Sequence, residues 1–170
     1  MRSLALHCAA AVAFGVDRDT VVCWMHDQGI WDATSPAERA FLESDSPAAG
    51  EMALAFQWRK EAEWTLLWAG GLIESLGPPS QQCDTVALAI DIMPRLGSDI
   101  GAFLARARFR PDAELAAENT RHRDLWRRAL DARRAGTRSA DPDWNVLFQR
   151  RYVFEWLTGP AEWDLVMCDE

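Results

Sequence analysis

Apolar residues recur along this chain at three- and four-residue intervals almost from end to end, the period of helices that bury one face. Leu4, Cys8, Ala11 and Val12 form the first stripe, and Gly15 can end that helix. Thr20 is placed to cap a second helix over residues 21–28, with Val21, Val22, Cys23 and Met25 inward and Gly29 at its close. Ser35-Pro36-Ala37-Glu38 reads as a capping box with proline at the first helical position, opening a short helix to residue 43. From Ser46-Pro47 one long helix is expected, running to residue 74. Leu54, Trp58, Ala62, Leu66, Ala69 and Ile73 make one apolar row on it, and Trp64, Leu67, Trp68 and Leu72 another. Its second half is apolar on every side, as a central buried helix should be, and Gly70-Gly71 would let a neighbouring helix come close.

Gly77-Pro78-Pro79-Ser80 breaks the pattern. Asp84 can cap a helix through Met93, Ser98 one to residue 108, and Pro111-Asp112 a long one to residue 134, stopped at Gly136. Asp141-Pro142 repeats the start signal for a last helix to Thr158, closed by Gly159-Pro160. No alternating run long enough for a β-strand pair and no hairpin dipeptide occurs. The expectation is an all-α, single compact domain over residues 1–170, with seven or eight helices around a central Trp-rich helix. A chain of 170 residues buries enough surface to need no disulfide or metal staple.

Charge changes the picture. The net charge of −8 argues against DNA as a partner. Residues 1–100 hold 6 basic and 14 acidic side chains, and residues 101–170 hold 12 of each. The acids gather early, at Asp17, Asp19, Asp27, Asp32, Glu38, Glu43, Asp45 and Glu51, a set that suits a basic protein partner and would also serve solubility. Arg121, Arg123, Arg127, Arg128, Arg133, Arg134 and Arg138 crowd one long helix, whose simplest arrangement lies against that acidic half. The chain has 17 Arg but one Lys, Lys60, and nine Trp but one Tyr.

The sequence assigns no catalytic residue, metal or cofactor. The four cysteines, Cys8, Cys23, Cys83 and Cys168, form no CxxC pair and read as reduced thiols of a cytoplasmic protein. His7, His26 and His122 fall on three different helices, and no HExxH or ExxH spacing occurs. Glu61 and Glu63 share a helix but point about 200° apart, so they make no paired site. No phosphate-binding glycine motif is present. The apolar start, residues 4–14, has the look of a short signal peptide, but His7 and Cys8 interrupt it and a packed helix is the better reading. No stretch is apolar enough to span a membrane. The tryptophans either fill the core or line a pocket for an apolar or cationic ligand.

Two segments, WRKEAEWTLLWAGGL at residues 58–72 and QRRYVFEWLTGPAEWDLVMCDE at residues 149–170, resemble the bacterial domain-of-unknown-function family 4272. The matching positions are Trp58, Arg59, Glu61, Trp64, Leu67, Trp68, Arg150, Trp156, Leu157, Trp163 and Asp164, with further matches at Arg2-Ser3 and Cys83-Asp84. Arg151 stands where that pattern has His. The resemblance implies a fold and brings no activity with it.

Arg59, Glu61, Arg150 and Asp164 are charged residues beside tryptophans expected to be buried, so they must pair. They are expected to form an Arg–carboxylate clasp holding the C-terminal tail to the central helix, or else the floor of a pocket. The functional expectation is a non-enzymatic protein-binding domain, in its concrete form an immunity protein or antitoxin that neutralises a basic toxin through the acidic surface. The alternative is a small-ligand-binding or enzymatic domain using a Trp/Arg/Glu pocket.

Overall fold

A computed structural model describes residues 1–44, 49–137 and 142–168. Helix α1 (Arg2–Ala13) buries Leu4, Ala5, Leu6, Cys8, Ala9 and Ala10 and ends before Gly15, whose φ of +94° a side chain would resist. Helix α2 (Arg18–Asp27) starts three residues earlier than the sequence suggests. Asp17 is its cap, accepting from the Thr20 backbone N–H at 2.9 Å, so Thr20 is inside the helix. The inward face is accordingly Val21, Trp24 and Met25, while Cys23 is exposed. A single 3-10 turn (Trp31–Ala33) leads to α3 (Pro36–Glu43), where the Ser35/Glu38 capping box forms as expected.

The long helix expected over residues 47–74 is two helices, α4 (Ala49–Trp58) and α5 (Lys60–Ala69). Its expected opening at Ser46-Pro47 lies outside the described residues. The chain turns at Arg59 (φ −67°, ψ 0°), and both halves then pack against α1. The bend ends the shared apolar row: Ala62 and Ala69 are buried, but Leu54 and Trp58 are 56% and 40% exposed. Helix α5 stops at Ala69 because another chain segment uses its last carbonyls. The Arg108 N–H donates to Gly70 O at 2.8 Å and the Arg110 N–H to Ala69 O at 2.9 Å. Gly70-Gly71 thus admits this extended segment and not the expected helix.

Asp84 caps α6 (Thr85–Ala87), which widens into a π-helical turn (Leu88–Ile92). There the Met93 N–H reaches back to Leu88 O at 3.0 Å, and Pro94 follows. Helix α7 (Gly101–Arg106) takes its first-turn N–H acceptor from Asp99 at 2.8 Å, not from Ser98. Helix α8 (Asp112–Arg134) has the expected bounds. Helix α9 (Trp144–Thr158) is capped by Asp143, which accepts from Asn145 at 2.8 Å and Val146 at 3.2 Å. Asp141, the expected start, lies outside the described residues. A second 3-10 turn (Trp163–Leu165) closes the described chain.

The result is one all-α domain, 67% helical, with eight helices of six residues or more and no strand among the described residues. Helices α1 and α5 share its centre. Helix α1 packs on α2, α3, α4 and α5, and the far side of α5 meets α9. The Arg-rich helix α8 packs mainly on α9, through Trp126 against Trp144 with ring centroids 4.0 Å apart. It does not lie against the acidic half. Its arginines are answered close to home, Arg121 by Glu118, Arg127 by Asp124 and Arg123 by Glu155 on α9. Arg138 lies outside the described residues.

Candidate functional site

The early acids separate into two groups. Asp17, Asp19, Asp27, Asp32 and Glu43 are exposed. Asp19, Cys23 and Asp27 follow one another at four-residue spacing on the outer face of α2. Between α2 and the end of α3 runs a shallow groove of about 420 Å³, with Val22 and Leu42 in it and Asp19 and Glu43 among its walls. Arg18 and His26 also line it. Glu38 does not belong to this surface. It is buried, accepts from the Ser35 N–H at 3.0 Å and pairs with Arg2. A carboxylate that both closes a capping box and neutralises a buried arginine has no freedom to meet a partner. Asp45 and the side chain of Glu51 lie outside the described residues.

The four charged residues of the expected clasp also separate. Arg150 Nε donates to Glu61 Oε2 at 3.1 Å, with side chains 0% and 6% exposed. Arg150 Nη1 donates to Gly77 O at 2.9 Å, and Glu61 accepts from the Cys83 N–H. This pair ties α9 to α5 and to the loop before α6. Asp164 is elsewhere: it is exposed and accepts from the Ala37 N–H at 2.8 Å, in the first turn of α3. Trp163 of the C-terminal tail packs with Ala62 of α5, but the tail's carboxylate, Asp164, bonds α3, where the helix macrodipole favours it. Arg59 stacks over Tyr152 at 4.1 Å and reaches Gln149 Oε1 at 3.4 Å. Arg2 covers the Trp163 ring at 4.5 Å, and burial pulls its guanidinium down to about 10.

A third polar group forms on the opposite side of α5. Glu63 is fully buried, and its two oxygens are both used. Oε1 is 2.7 Å from His7 Nδ1, and Oε2 accepts from Lys60 Nζ at 3.2 Å. His7 and Lys60 border a cleft of about 420 Å³ between α1, α2, α5 and α6, otherwise walled by apolar groups such as Cys8, Phe14, Val21 and Trp24. A second recess of about 330 Å³ lies next to it, sharing Phe14, Lys60 and Thr85, and including Glu61 and Trp58. Arg150 lines neither cavity. The arginine–glutamate pair is a fastening, and the open space belongs to His7, Lys60 and their apolar neighbours.

The positions carrying the family resemblance converge at the junction of α5, α9 and the tail. Trp68 meets Phe154 edge-on at 5.9 Å, Trp156 meets Trp163 at 5.2 Å, and the Tyr152 hydroxyl donates to Trp163 O. The pattern of a domain of unknown function, DUF4272, matches residues 1–166. The chain belongs to the DUF4272 family. No curated protein and no solved structure matches it.

Within this DUF4272 chain, Arg151 is buried, with its guanidinium 5.1 Å from the Trp126 ring and its Nε 3.6 Å from Glu155. The Cys8 thiol is pushed up to about 12 by burial and by the Glu63 charge, and the Cys83 thiol is pushed up by burial and Glu61. Neither is primed as a nucleophile. Among the described residues no cluster of His, Cys, Asp and Glu could hold a metal ion, and no helix is long and apolar enough to cross a membrane. The His7–Glu63–Lys60 group escaped sequence reasoning because its members come from two helices. The available signals were a histidine breaking an apolar stripe and the one lysine of an arginine-rich chain.

Proposed function

We propose that this DUF4272 protein is a non-enzymatic binding domain that takes a basic protein partner on the face formed by α2 and the end of α3. The observation that carries this reading is the groove lined by Val22, Leu42, Asp19 and Glu43. Its apolar floor suits the aliphatic stem of a lysine or arginine, and its carboxylates suit the charged head. Asp17, Asp27 and Asp32, at the two ends of α2 and just after it, are exposed as well. An acidic patch of this kind steers encounter with a basic partner more than it adds affinity. In its finer form the proposal is an immunity protein or antitoxin that covers a basic toxin.

The test is binding kinetics against the protein that native capture recovers. Reversing Asp19, Asp27 and Glu43 together to Lys should slow association by roughly tenfold or more, with a much smaller change in dissociation. Raising salt from about 0.15 M to about 1 M, which shortens the Debye length from roughly 8 Å to roughly 3 Å, should do the same. Reversing Asp112 on α8 should leave the rate unchanged. An association rate indifferent both to salt and to the triple reversal would reduce the acidic face to a solubility device and end the proposal.

A further inference from the structure

We infer that the cleft between α1, α2, α5 and α6 is a second binding site, for a small apolar molecule carrying one oxygen-acceptor head group, a carboxylate or an amide carbonyl. The site is built around a buried anion. Glu63 is fully buried and holds His7 at 2.7 Å and Lys60 at 3.2 Å, so the two nitrogen-bearing side chains at the cleft, which Thr85 also lines, are fixed in place from behind. Fixing them removes the entropy cost that a ligand would otherwise meet in ordering a lysine.

The head-group chemistry follows from the donors. A lysine ammonium carries three N–H donors and accepts nothing. One donor of Lys60 goes to Glu63, and the Phe14 ring stands 6.0 Å away. The side chain is only 12% exposed and borders both the cleft and the neighbouring recess. An oxygen acceptor entering the cleft would complete the ammonium's hydrogen bonds, whereas a cationic head would meet Lys60 charge to charge. Glu63 is not among the residues bordering the cleft, and Lys60 and His7 are. Cys8 beside them stays a neutral thiol.

The body chemistry follows from the walls. Phe14, Val16, Val21, Trp24, Pro94 and Leu96 leave an apolar space of about 420 Å³, within the size range of small-ligand pockets. Its mouth is ringed by apolar groups that the fold leaves out of the core: Phe14, Val16 and Leu96 are 62%, 39% and 42% exposed. An apolar body would cover them. This site lies on other residues than the acidic groove, and neither proposal needs the other.

The test is calorimetric titration of the whole chain with three probes of equal length: octanoate, octanamide and octylammonium. Octanoate or octanamide should bind at one site, and octylammonium roughly tenfold more weakly or not at all. Octanoate binding tighter than octanamide identifies an anionic head; equal binding identifies the carbonyl oxygen as sufficient. Lys60→Met keeps the stem and removes the ammonium, and should weaken the better probe by roughly tenfold. Because that change leaves Glu63 short of a partner, Ala89→Phe serves as the second variant. Ala89 lines the cleft from an exposed position, so the added ring should fill the space and abolish binding without changing the melting temperature. Octylammonium binding as well as octanoate, no binding of either acceptor-headed probe at millimolar concentration, or unchanged affinity in Ala89→Phe would each overturn the inference.

Discussion

Arg150 and Glu61 stand 89 residues apart in sequence and 3.1 Å apart in the structure, with side chains 0% and 6% exposed. The pair is the polar bolt between α5 and α9. Around it Glu61 also holds the Cys83 N–H and Arg150 also holds the Gly77 carbonyl, so one ion pair fixes two helices and the loop between α5 and α6. A buried pair adds little over a well-packed apolar pair, but breaking it by removing one member strands the other charge.

Glu61→Gln keeps the size and an acceptor for Cys83 but removes the charge opposite Arg150. It should destabilise the protein by about 3–5 kcal/mol. Asp112→Asn, at the exposed start of α8, should stay within about 0.5 kcal/mol of the parent. Urea unfolding of both variants is the measurement. A Glu61→Gln midpoint equal to the parent's would mean that the pair is not formed in solution.

Gly71 sits at φ +67°, and a Cβ there would overlap the Arg108 carbonyl oxygen. Gly29 sits at φ +65° with nothing within 4 Å of where its Cβ would go. Both glycines pay the same conformational penalty on becoming alanine, roughly 1 kcal/mol. Only Gly71→Ala also pushes the 108–110 segment off the end of α5, so it should cost about 2 kcal/mol or more. Thermal melts of the two alanine variants should therefore differ, with Gly71→Ala clearly the lower. Equal melting temperatures would show that the segment does not dock on α5.

His122 is fully buried in α8 against Phe154, with ring centroids 5.0 Å apart. Its Nδ1 is 2.9 Å from the Glu118 carbonyl, an acceptor, so Nδ1 carries the proton and Nε2 is left without a partner. Burial holds this imidazole down to about 4, against an ordinary value of 6.5. Between those values the unfolded chain binds a proton that the folded chain refuses. Stability should thus fall as pH drops below about 6.5 and this contribution should level off near pH 4, reaching a few kcal/mol at full extent. Denaturation curves from pH 8 to pH 4 for the parent and His122→Phe check it. The variant should lose that part of the slope, and parallel profiles would refute the assignment.

Helix starts and stops were largely legible in the chain because they are local. The Ser35/Glu38 box, the Asp84 cap, the Pro111-Asp112 start and the glycine stops each depend on a few neighbouring residues and their backbone N–H groups. Asp17 caps α2 in place of Thr20, and Asp99, not Ser98, accepts the Gly101 N–H where α7 begins. The break at Arg59 was illegible. Nothing in the local pattern opposes a continuous helix, and the turn pays off only through contacts with α1 and with Tyr152 on α9.

What the sequence determined alone was the all-α class, the acidic bias of its first hundred residues, the family and the need for Arg150 and Glu61 to find partners. Periodicity, composition and the cost of an unpaired buried charge suffice for those. Only the tertiary structure decided which acids face solvent. The capping box already tied Glu38 to the Ser35 N–H, but only the packing of α1 on α3 brought Arg2 to it and took it out of water. Only the tertiary structure separated Asp164 from the clasp, and only it brought His7 of α1 to Glu63 and Lys60 of α5. Helical spacing tells which residues share a face. Which face meets which depends on how the helices cross, and that is settled by the packing of the whole core.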